Sequence, residues 1–505
     1  MFQDLIIVQI PKQVRNDRLS VNRLTNYTPQ ITFLQILYRI GQFVVFHYNY
    51  NSIMAQTSLT KQSRGALPMF KLTLPIAMEQ FFRILVSSVD TMMLSSYSND
   101  AVAAVGLVGQ YIFFLNLLFA VISTGCSIVL AQYIGAQKSK QELNQIAQAS
   151  ALMITGLSVF LMLLVFFGFK PLLNCYQLED AVRGYALKYF IIFGGIFCFF
   201  NAFSSLQGAI LRSYGYTSEA MIVSIIGNVV NVLGNALSLY GWFGLPVLGV
   251  PGVACASGTA MLVSSVLLAI IIRRKQDVSF ELKGLFKVPK QVYSLILSVG
   301  IPTAGESLSY NISQIVIMAM ISTLGTNAMS AQVYTMTIVR FVFIMAMAIG
   351  QASQIKTGYF VGARQSDVAY KKIFKYQLVA TACSMVMILI VNLIKHPVIR
   401  IFTKIDEVHA LVATLLIYST YIEFGRSLNL IYVGALKGSG DVKFPVLYGI
   451  ASMWGIMVLG SYILGIKCGL GLVGFWLGIG TDETTRGIAM LIRWKSKRWQ
   501  KHALV

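Results

Sequence analysis

Three ionisable side chains lie inside the first long apolar segment of the chain. Glu79, Arg83 and Asp90 interrupt residues 72–94. On a helix, Arg83 lies about 40° and Asp90 about 20° from Glu79, so the three share one face over roughly 16 Å of rise. A charge at the centre of a bilayer costs about 2.5–3.5 kcal/mol on insertion scales. This face must therefore point into a helix bundle or a water-filled cavity.

The chemistry available to this face depends on which charges neutralise each other. Glu79 and Arg83 are four residues apart and can form an internal ion pair. The role of these two residues stays open: they could be structural, bind substrate or belong to a wider charge network. Asp90 has no cation four residues away. A buried carboxylate without a cation is suited to exchange H⁺, Na⁺ or a cationic substrate. We predict Asp90 to be a cation-coupling residue.

The second half of the chain carries further charges within apolar segments, and the acids outnumber the arginines by one. These residues and a neighbouring asparagine are Glu306, Arg340, Glu423, Arg426, Asn429, Asp482, Glu483 and Arg486. We predict cation coupling at Glu306 and Glu423 and a substrate or network role for the others. The alternative is a fully neutralised structural network.

An asparagine face follows in the fifth apolar segment, "IIGNVVNVLGNALSL". Asn228, Asn231 and Asn235 are spaced i, i+3, i+7. Such a face can hydrogen-bond to another helix or contribute oxygens to a cation site.

The elements that must position these residues are membrane helices. The chain has 505 residues, of which 56% are hydrophobic and 12% charged, whereas soluble domains carry about 25% charge. Apolar segments long enough to cross a bilayer recur throughout. We predict an all-α polytopic membrane protein with twelve spans: 72–96, 101–131, 143–169, 182–211, 218–242, 248–272, 292–324, 328–360, 372–394, 408–436, 444–466 and 471–493.

The net charge of +21 is concentrated in alternate loops. The positive-inside rule then puts both termini in the cytoplasm and argues against a nucleic-acid partner. We expect residues 1–60 to be a disordered or interfacial extension, or an artefact of start-codon choice if Met54 is the first residue. Scattered cysteines and four histidines without metal-like spacing predict neither a disulfide framework nor a tightly bound structural metal.

The chain repeats itself at a shift of 227 residues. "LPIAMEQ" at 74–80 matches "IPTAGES" at 301–307, and "YIGAQKS" at 133–139 matches "FVGARQS" at 360–366. This predicts two homologous six-helix bundles, 61–272 and 292–494, a cytoplasmic linker, 273–291, and a basic tail, 495–505. Such parallel repeats enclose a central site in transporters. Pro75 and Pro302, at equivalent positions, would loosen the first turn of spans one and seven.

The ordered set of motifs resembles bacterial multidrug and toxic compound extrusion (MATE) transporters over about residues 70–500. The resemblance is carried by "PIAMEQFFRILVSSVDTMML", "NVVNVLGNALSLYG", "IPTAGESLSYN", "EFGRSLNLIYVGALKGSGDVKFP" and "TDETTRGIAMLIRWKSKRW". It implies that Asp90 is the family's first-helix carboxylate. Arg426 stands where many relatives carry an aspartate, which leaves the Asp90–Asn228 region and the Glu306–Glu423 region as rival coupling sites.

The resemblance also implies the activity. It implies a monomeric inner-membrane antiporter that exports amphipathic, mostly cationic drugs or toxic organic cations in exchange for H⁺ or Na⁺, without a cofactor. The alternative is a flippase for a lipid-linked precursor, which needs a cationic cavity; Arg83 and Arg340 could serve it, but Glu79, Asp90 and Glu306 oppose an anionic cargo. A membrane enzyme is not expected, since no metalloprotease motif, P-loop or nucleophile elbow occurs.

Overall fold

The computed structural model describes residues 67–241, 244, 246–281 and 284–505, and within these ranges all regular structure is helical. The extension predicted for residues 1–60 lies outside the described residues. The described ranges begin just before the first helix, so they include all the charged residues of the apolar segments discussed above.

Twelve helical spans follow one another, as predicted from the apolar pattern. They are α1 Met69–Tyr97, α2 Asn99–Gly135, α3 Lys140–Leu173, α4 Asp180–Ile196 continued by Cys198–Ser213, α5 Thr217–Tyr240, α6 Gly249–Arg274, α7 Lys290–Ser322, α8 Thr326–Gly362, α9 Ser366–Leu393, α10 Asp406–Ser439, α11 Lys443–Lys467 and α12 Gly471–Lys495. A short helix, Lys395–Phe402, precedes α10. Among the described residues, nine of the spans are long and apolar enough to cross a membrane, or ten with the bent α4; α7 and α12 are the remaining two.

Local irregularities interrupt two of the spans. The two segments of α4 meet at 51°, directly after a π-helical stretch, Ile191–Ile196. Two more π-helical stretches, Met453–Val458 and Ile463–Lys467, interrupt α11. Extra residues of this kind change the direction of a helix without a proline.

The prediction that prolines loosen the first turn of spans one and seven is wrong. Pro75 lies in the second turn of α1, and Pro302 lies about three turns inside α7. The reason is that α7 begins directly after Pro289, so polar residues that precede the apolar run are already helical. Each proline still removes one backbone donor inside its helix.

The helices pack as two bundles, α1–α6 and α7–α12, related by the sequence repeat. Across the boundary, α2 packs on α7 while α8 packs on α1, which is the arrangement expected of two equivalent halves; α2 and α8 also contact each other. We call the end of the bundles that carries the loops after α2 and α8 the basic end. These loops and the helix starts beside them contain Lys138, Lys140, Arg364, Lys371 and Lys372.

The two halves are in close contact at the basic end. Gly135 lies against the backbone of Tyr359, and Gly362 lies against the backbone of Gln132, so closely that a Cβ atom on either glycine would overlap its neighbour. The two pairs are equivalent under the repeat. Gln132 Nε2 also donates a hydrogen bond to the carbonyl of Gly438, 2.8 Å away. The opposite end of the bundles is called the far end below.

Candidate functional site

Asp90 lies against the asparagine face of α5. Its Oδ1 accepts a hydrogen bond from Asn235 Nδ2 at 2.9 Å. Asn231 is buried beside it and contacts Ser257 of α6, with 2.9 Å between Nδ2 and Oγ. Among the described residues, no lysine, arginine or histidine nitrogen lies within ion-pair distance of Asp90. The carboxylate is therefore stabilised by neutral amides.

The orientation of the Asn231 amide determines what Asp90 can bind. When the amide nitrogen faces α1, it can donate to both Asp90 oxygens at 3.0 and 3.1 Å and the amide oxygen accepts from Ser257 Oγ. When the oxygen faces α1 instead, two acceptors meet, and a proton or a small cation is needed between them. The site can thus stabilise an ionised carboxylate or help to bind a cation.

Asn228, which the sequence analysis places in the same candidate coupling site as Asp90, is not the asparagine that contacts Asp90. Its Nδ2 is buried without a hydrogen-bond partner, whereas Asn231 and Asn235 contact Asp90. The buried hydroxyl of Tyr189 in α4 completes the surroundings, since it lies near Ser257 and Asp90. Sequence reasoning missed Tyr189 and Ser257 because a tyrosine or a serine on an apolar helix carries no distinguishing pattern.

Glu79 is held by two arginines. Arg83 Nη2 lies 2.9 Å from its Oε1, which confirms the expected i, i+4 pair, and Arg212 Nη1 of α4 lies 3.2 Å from its Oε2. The Arg83 side chain is 61% exposed and that of Arg212 only 17%. Glu79 therefore contributes no free negative charge, and the triplet carries a net positive charge.

Glu306 forms the equivalent pair in the second half. Lys437 Nζ of α10 lies 2.6 Å from its Oε2, with each side chain 11% exposed. Glu306 stands 227 residues after Glu79, and Lys437 occupies the position of Arg212 in the matching segments "LRSYGY" and "LKGSGD". Each half therefore joins its first and fourth helices through a buried acid–base pair.

A third group of charges joins α10 to α12. Arg426 contacts both Glu423 and Glu483, and Asn429 Nδ2 donates to Glu483 Oε2 at 2.9 Å. On α12, Arg486 lies 2.7 Å from Asp482 Oδ2. The predicted network of these residues is present, and its members are all buried.

This network still contains one acid more than its bases. With the Glu306–Lys437 pair included, four carboxylates face three cations. The sequence-based count took Arg340 as the third cation, whereas in the structure the third cation is Lys437. Glu423 Oε2 is buried without a hydrogen-bond partner. Of the three predicted coupling residues, Glu306 and Glu423 have cationic partners, and Asp90 is the one stabilised by amides alone.

Arg340 lies apart from these clusters. It is exposed, and among the described residues no carboxylate forms an ion pair with it. It lines a cavity of about 190 Å³ between α7 and α8, together with Gln314, Ile317, Met318, Gln332, Val333, Met336 and Thr337. The described residues contain no group of three histidine, cysteine or acidic side chains that could hold a metal ion.

Comparison with known proteins identifies the same two-part organisation. The MatE family model matches residues 75–237 and again residues 302–463. These ranges start 227 residues apart, the shift of the internal repeat. The uncharacterised transporter YisQ of Bacillus subtilis is 34% identical over 448 residues, which is 89% of this chain and 98% of that protein. The probable multidrug resistance protein NorM of Thermotoga maritima is 25% identical over 86% of this chain and 94% of its own length.

Solved structures share the fold. A multidrug resistance MATE family transporter in an outward-facing conformation superposes with a TM-score of 0.79 at 20% identity, covering 85% of this chain and 95% of that one. A MOP superfamily transporter from Pyrococcus furiosus superposes with a TM-score of 0.78 at the same identity and coverage.

Proposed function

Because this chain belongs to the MatE family, we propose that it is a secondary active antiporter that exports amphipathic, mostly cationic compounds in exchange for H⁺ or Na⁺. Relatives named as multidrug resistance proteins support the export of drugs. The described helices and the family support a multi-pass membrane transporter rather than an enzyme. No cofactor is part of the proposal; the coupling ion is a substrate.

The observation that carries the proposal is the setting of Asp90. A carboxylate inside a membrane helix is costly when ionised and unpaired. Here it is stabilised by Asn235 and faces Asn231, whose amide can present either a donor or an acceptor. A proton or Na⁺ bound at Asp90 neutralises the charge, and a cationic substrate competes for the same group.

Alternating access follows from the packing of the halves. Tight glycine contacts hold the basic end closed. In the proposal the basic end faces the cytoplasm, as its lysines and arginines suggest, so this conformation opens outward. Ion binding at Asp90 neutralises a half-buried charge and changes the relative free energies of the outward- and inward-facing states. Both termini are then cytoplasmic, and one monomer in the inner membrane suffices.

Transport by the purified protein in liposomes tests the proposal. Ethidium would be the substrate, with either a proton gradient or a sodium gradient imposed alone. We expect one gradient to drive accumulation and Asp90→Asn to abolish it while the variant remains folded, because the carboxylate that the ion and the cationic substrate share is then absent. Asp180→Asn is the matched control, because the Asp180 side chain is fully exposed. Full gradient-driven transport by Asp90→Asn would reject Asp90 as the coupling residue.

The variant Glu306→Gln tests which half of the protein contains the coupling site. Since Glu306 has a lysine partner, we expect this variant to lose stability rather than ion coupling. Abolished coupling in folded Glu306→Gln, with Asp90→Asn active, would move the coupling site to the second half. If neither gradient drives any cationic dye in the wild type, the flippase alternative gains support and lipid-linked cargo is tested next.

A further inference from the structure

The tail after α12 folds back onto the second half at the basic end. It leaves the helix through Lys497, whose φ is 55°, and a short 3₁₀ helix, Arg498–His502, follows. A left-handed conformation is uncommon for a residue other than glycine and turns the chain sharply. Lys497 Nζ lies 3.0 Å from Asp367 Oδ1, near the start of α9. The turn therefore directs the tail along the neighbouring helices.

A tryptophan anchors the tail to the second half. Trp499 is fully buried, and its ring stacks on that of Trp494 in α12 with the centroids 4.1 Å apart. Trp499 Nε1 also donates a hydrogen bond to the carbonyl of Trp494 at 3.0 Å. Both indoles belong to an apolar cluster that includes Tyr432 and Leu436 of α10. Because a buried indole removes a large apolar surface from water, the tail is fixed firmly to this half.

Beyond this anchor the backbone of the tail crosses the turn between α10 and α11. Gly440 forms that turn with a φ of 93°, and the carbonyl of His502 lies so close to it that a Cβ atom would overlap. The next residue, Asp441, accepts a hydrogen bond from Arg493 Nε of α12 at 2.7 Å. The turn, the end of α12 and the tail are thus held together.

The tail then reaches the first half through a backbone hydrogen bond. The N–H of Leu504 donates to Gln132 Oε1 of α2 at 2.8 Å. The same side chain donates from Nε2 to the carbonyl of Gly438 in α10, also at 2.8 Å. Gln132 is fully buried, so water does not compete for either bond. One glutamine of the first half therefore joins both the tail and the end of α10.

The side chain of Leu504 adds an apolar contact at the same place. It packs against a buried cluster that draws on both halves, formed by Ile128 of α2, Val299 of α7, and Val442 and Val446 beside the start of α11. Leu504 is half-buried there, whereas its neighbour Val505 is exposed. Separation of the halves at the basic end would expose this cluster to water, which is unfavourable.

We propose that the tail is a strap that latches the basic end closed. Trp499 keeps it on the second half, so Leu504 must leave Gln132 before the halves part at the basic end and close at the far end. The strap favours the closed basic end because its contacts with α2 exist only in that state. The inference adds a conformational control to the proposed function. It rests on the separation of the halves that this function requires, but not on the identity of the ion or the substrate.

The rate at which a buried cysteine is modified tests the proposal. Ile355 of α8 is 2% exposed and packs with Ala131 of α2 at the boundary, so Ile355→Cys reacts with a charged methanethiosulfonate reagent only when the basic end opens. The native cysteines are changed to alanine, and the full chain is studied in nanodiscs without substrate or gradient. When closure is faster than modification, the rate follows the population of the open state.

Two changes to the strap should raise this rate. Ending the chain at His502 removes both the hydrogen bond and the apolar contact and should raise it about tenfold or more, whereas Leu504→Ala removes only the contact and should raise it about threefold. Val505→Ala is the matched control, because it shortens an exposed side chain of the same tail, and it should leave the rate unchanged.

A second cysteine distinguishes opening from loss of the fold. Cys198 is 1% exposed within the first half, and a chain that keeps it alone reports unfolding. Faster modification at position 355 with an unchanged rate at Cys198 would support the strap. An unchanged rate at position 355 in both strap variants, or an equal rise at the two positions, would overturn it. A wild type that transports no cationic dye would count against the proposed function alone, because modification requires no transport.

Discussion

The buried pair between Glu306 and Lys437 gives the sharpest test of how the charged residues are used. Replacing Lys437 by methionine keeps a long apolar side chain but leaves the Glu306 carboxylate without its cation. The two groups are 2.6 Å apart and each side chain is 11% exposed, so water replaces little of the lost interaction.

The expected magnitude follows from this burial. Removing one partner of a buried ion pair typically costs about 3–5 kcal/mol, because an uncompensated charge remains. In the other half, Arg212→Met should cost less, about 1.5–3 kcal/mol, because Glu79 keeps Arg83 at 2.9 Å. The double variant Glu306→Gln with Lys437→Met should recover most of the loss, since neither charge is then buried alone.

The assay is equilibrium unfolding by SDS in mixed micelles, followed by far-UV circular dichroism. Free energies for wild type, both single variants and the double variant form a double-mutant cycle, which isolates the interaction of the pair. Arg212→Met is the matched comparison, because it removes the equivalent cation of the repeat.

The variants should differ in stability in a definite order, with Lys437→Met the less stable of the two that lose a cation. If Lys437→Met lowered the unfolding free energy no more than Arg212→Met does, the Arg83 cation that remains beside Glu79 would not stabilise the Arg212→Met variant. No recovery in the double variant would show that Lys437 stabilises the fold through packing instead of charge.

Three further predictions concern packing and charge balance. Trp499→Ala removes a fully buried indole from the tail and should lower the unfolding free energy by about 3–5 kcal/mol, whereas Trp454→Ala, at a 41% exposed position, should change it little in the same SDS titration. Gly362→Val should prevent closure of the basic end and abolish liposome transport, because a Cβ there overlaps the facing backbone, whereas Gly305→Ala has open space and should transport normally. Glu423→Gln should fold with unchanged or higher stability in thermal unfolding, since it removes the excess acid of its network; a drop as large as that of Lys437→Met would contradict that charge count.

Local sequence pattern was enough to locate the helices. Twelve apolar runs predicted twelve spans because each membrane helix satisfies its own backbone hydrogen bonds, so length and apolarity identify it without knowledge of its neighbours. The repeat likewise indicated two equivalent halves, since equal sequences fold into equal bundles. The i, i+4 pair of Glu79 and Arg83 was predictable for the same reason, because one helix fixes its geometry.

Tertiary structure decided which charges are free. Arg212 and Lys437 each fall one residue beyond a predicted span, 182–211 and 408–436, yet each is the partner of a carboxylate on another helix. Their matching positions in the repeat were a signal that could have identified them. Asn235 became the contact of Asp90 through the packing of α5 on α1, which no spacing within one helix fixes.

The sequence by itself therefore determined the class of protein, its helices, its repeat and the set of intramembrane polar residues. Only the packing of helices on one another decided that Glu79 and Glu306 are neutralised, that Asp90 is stabilised by amides, and that Arg340 lies apart from the other charged clusters. The physical reason is the range of the forces involved. Helix formation depends on neighbours along the chain, whereas ion pairing depends on distances between side chains far apart in sequence.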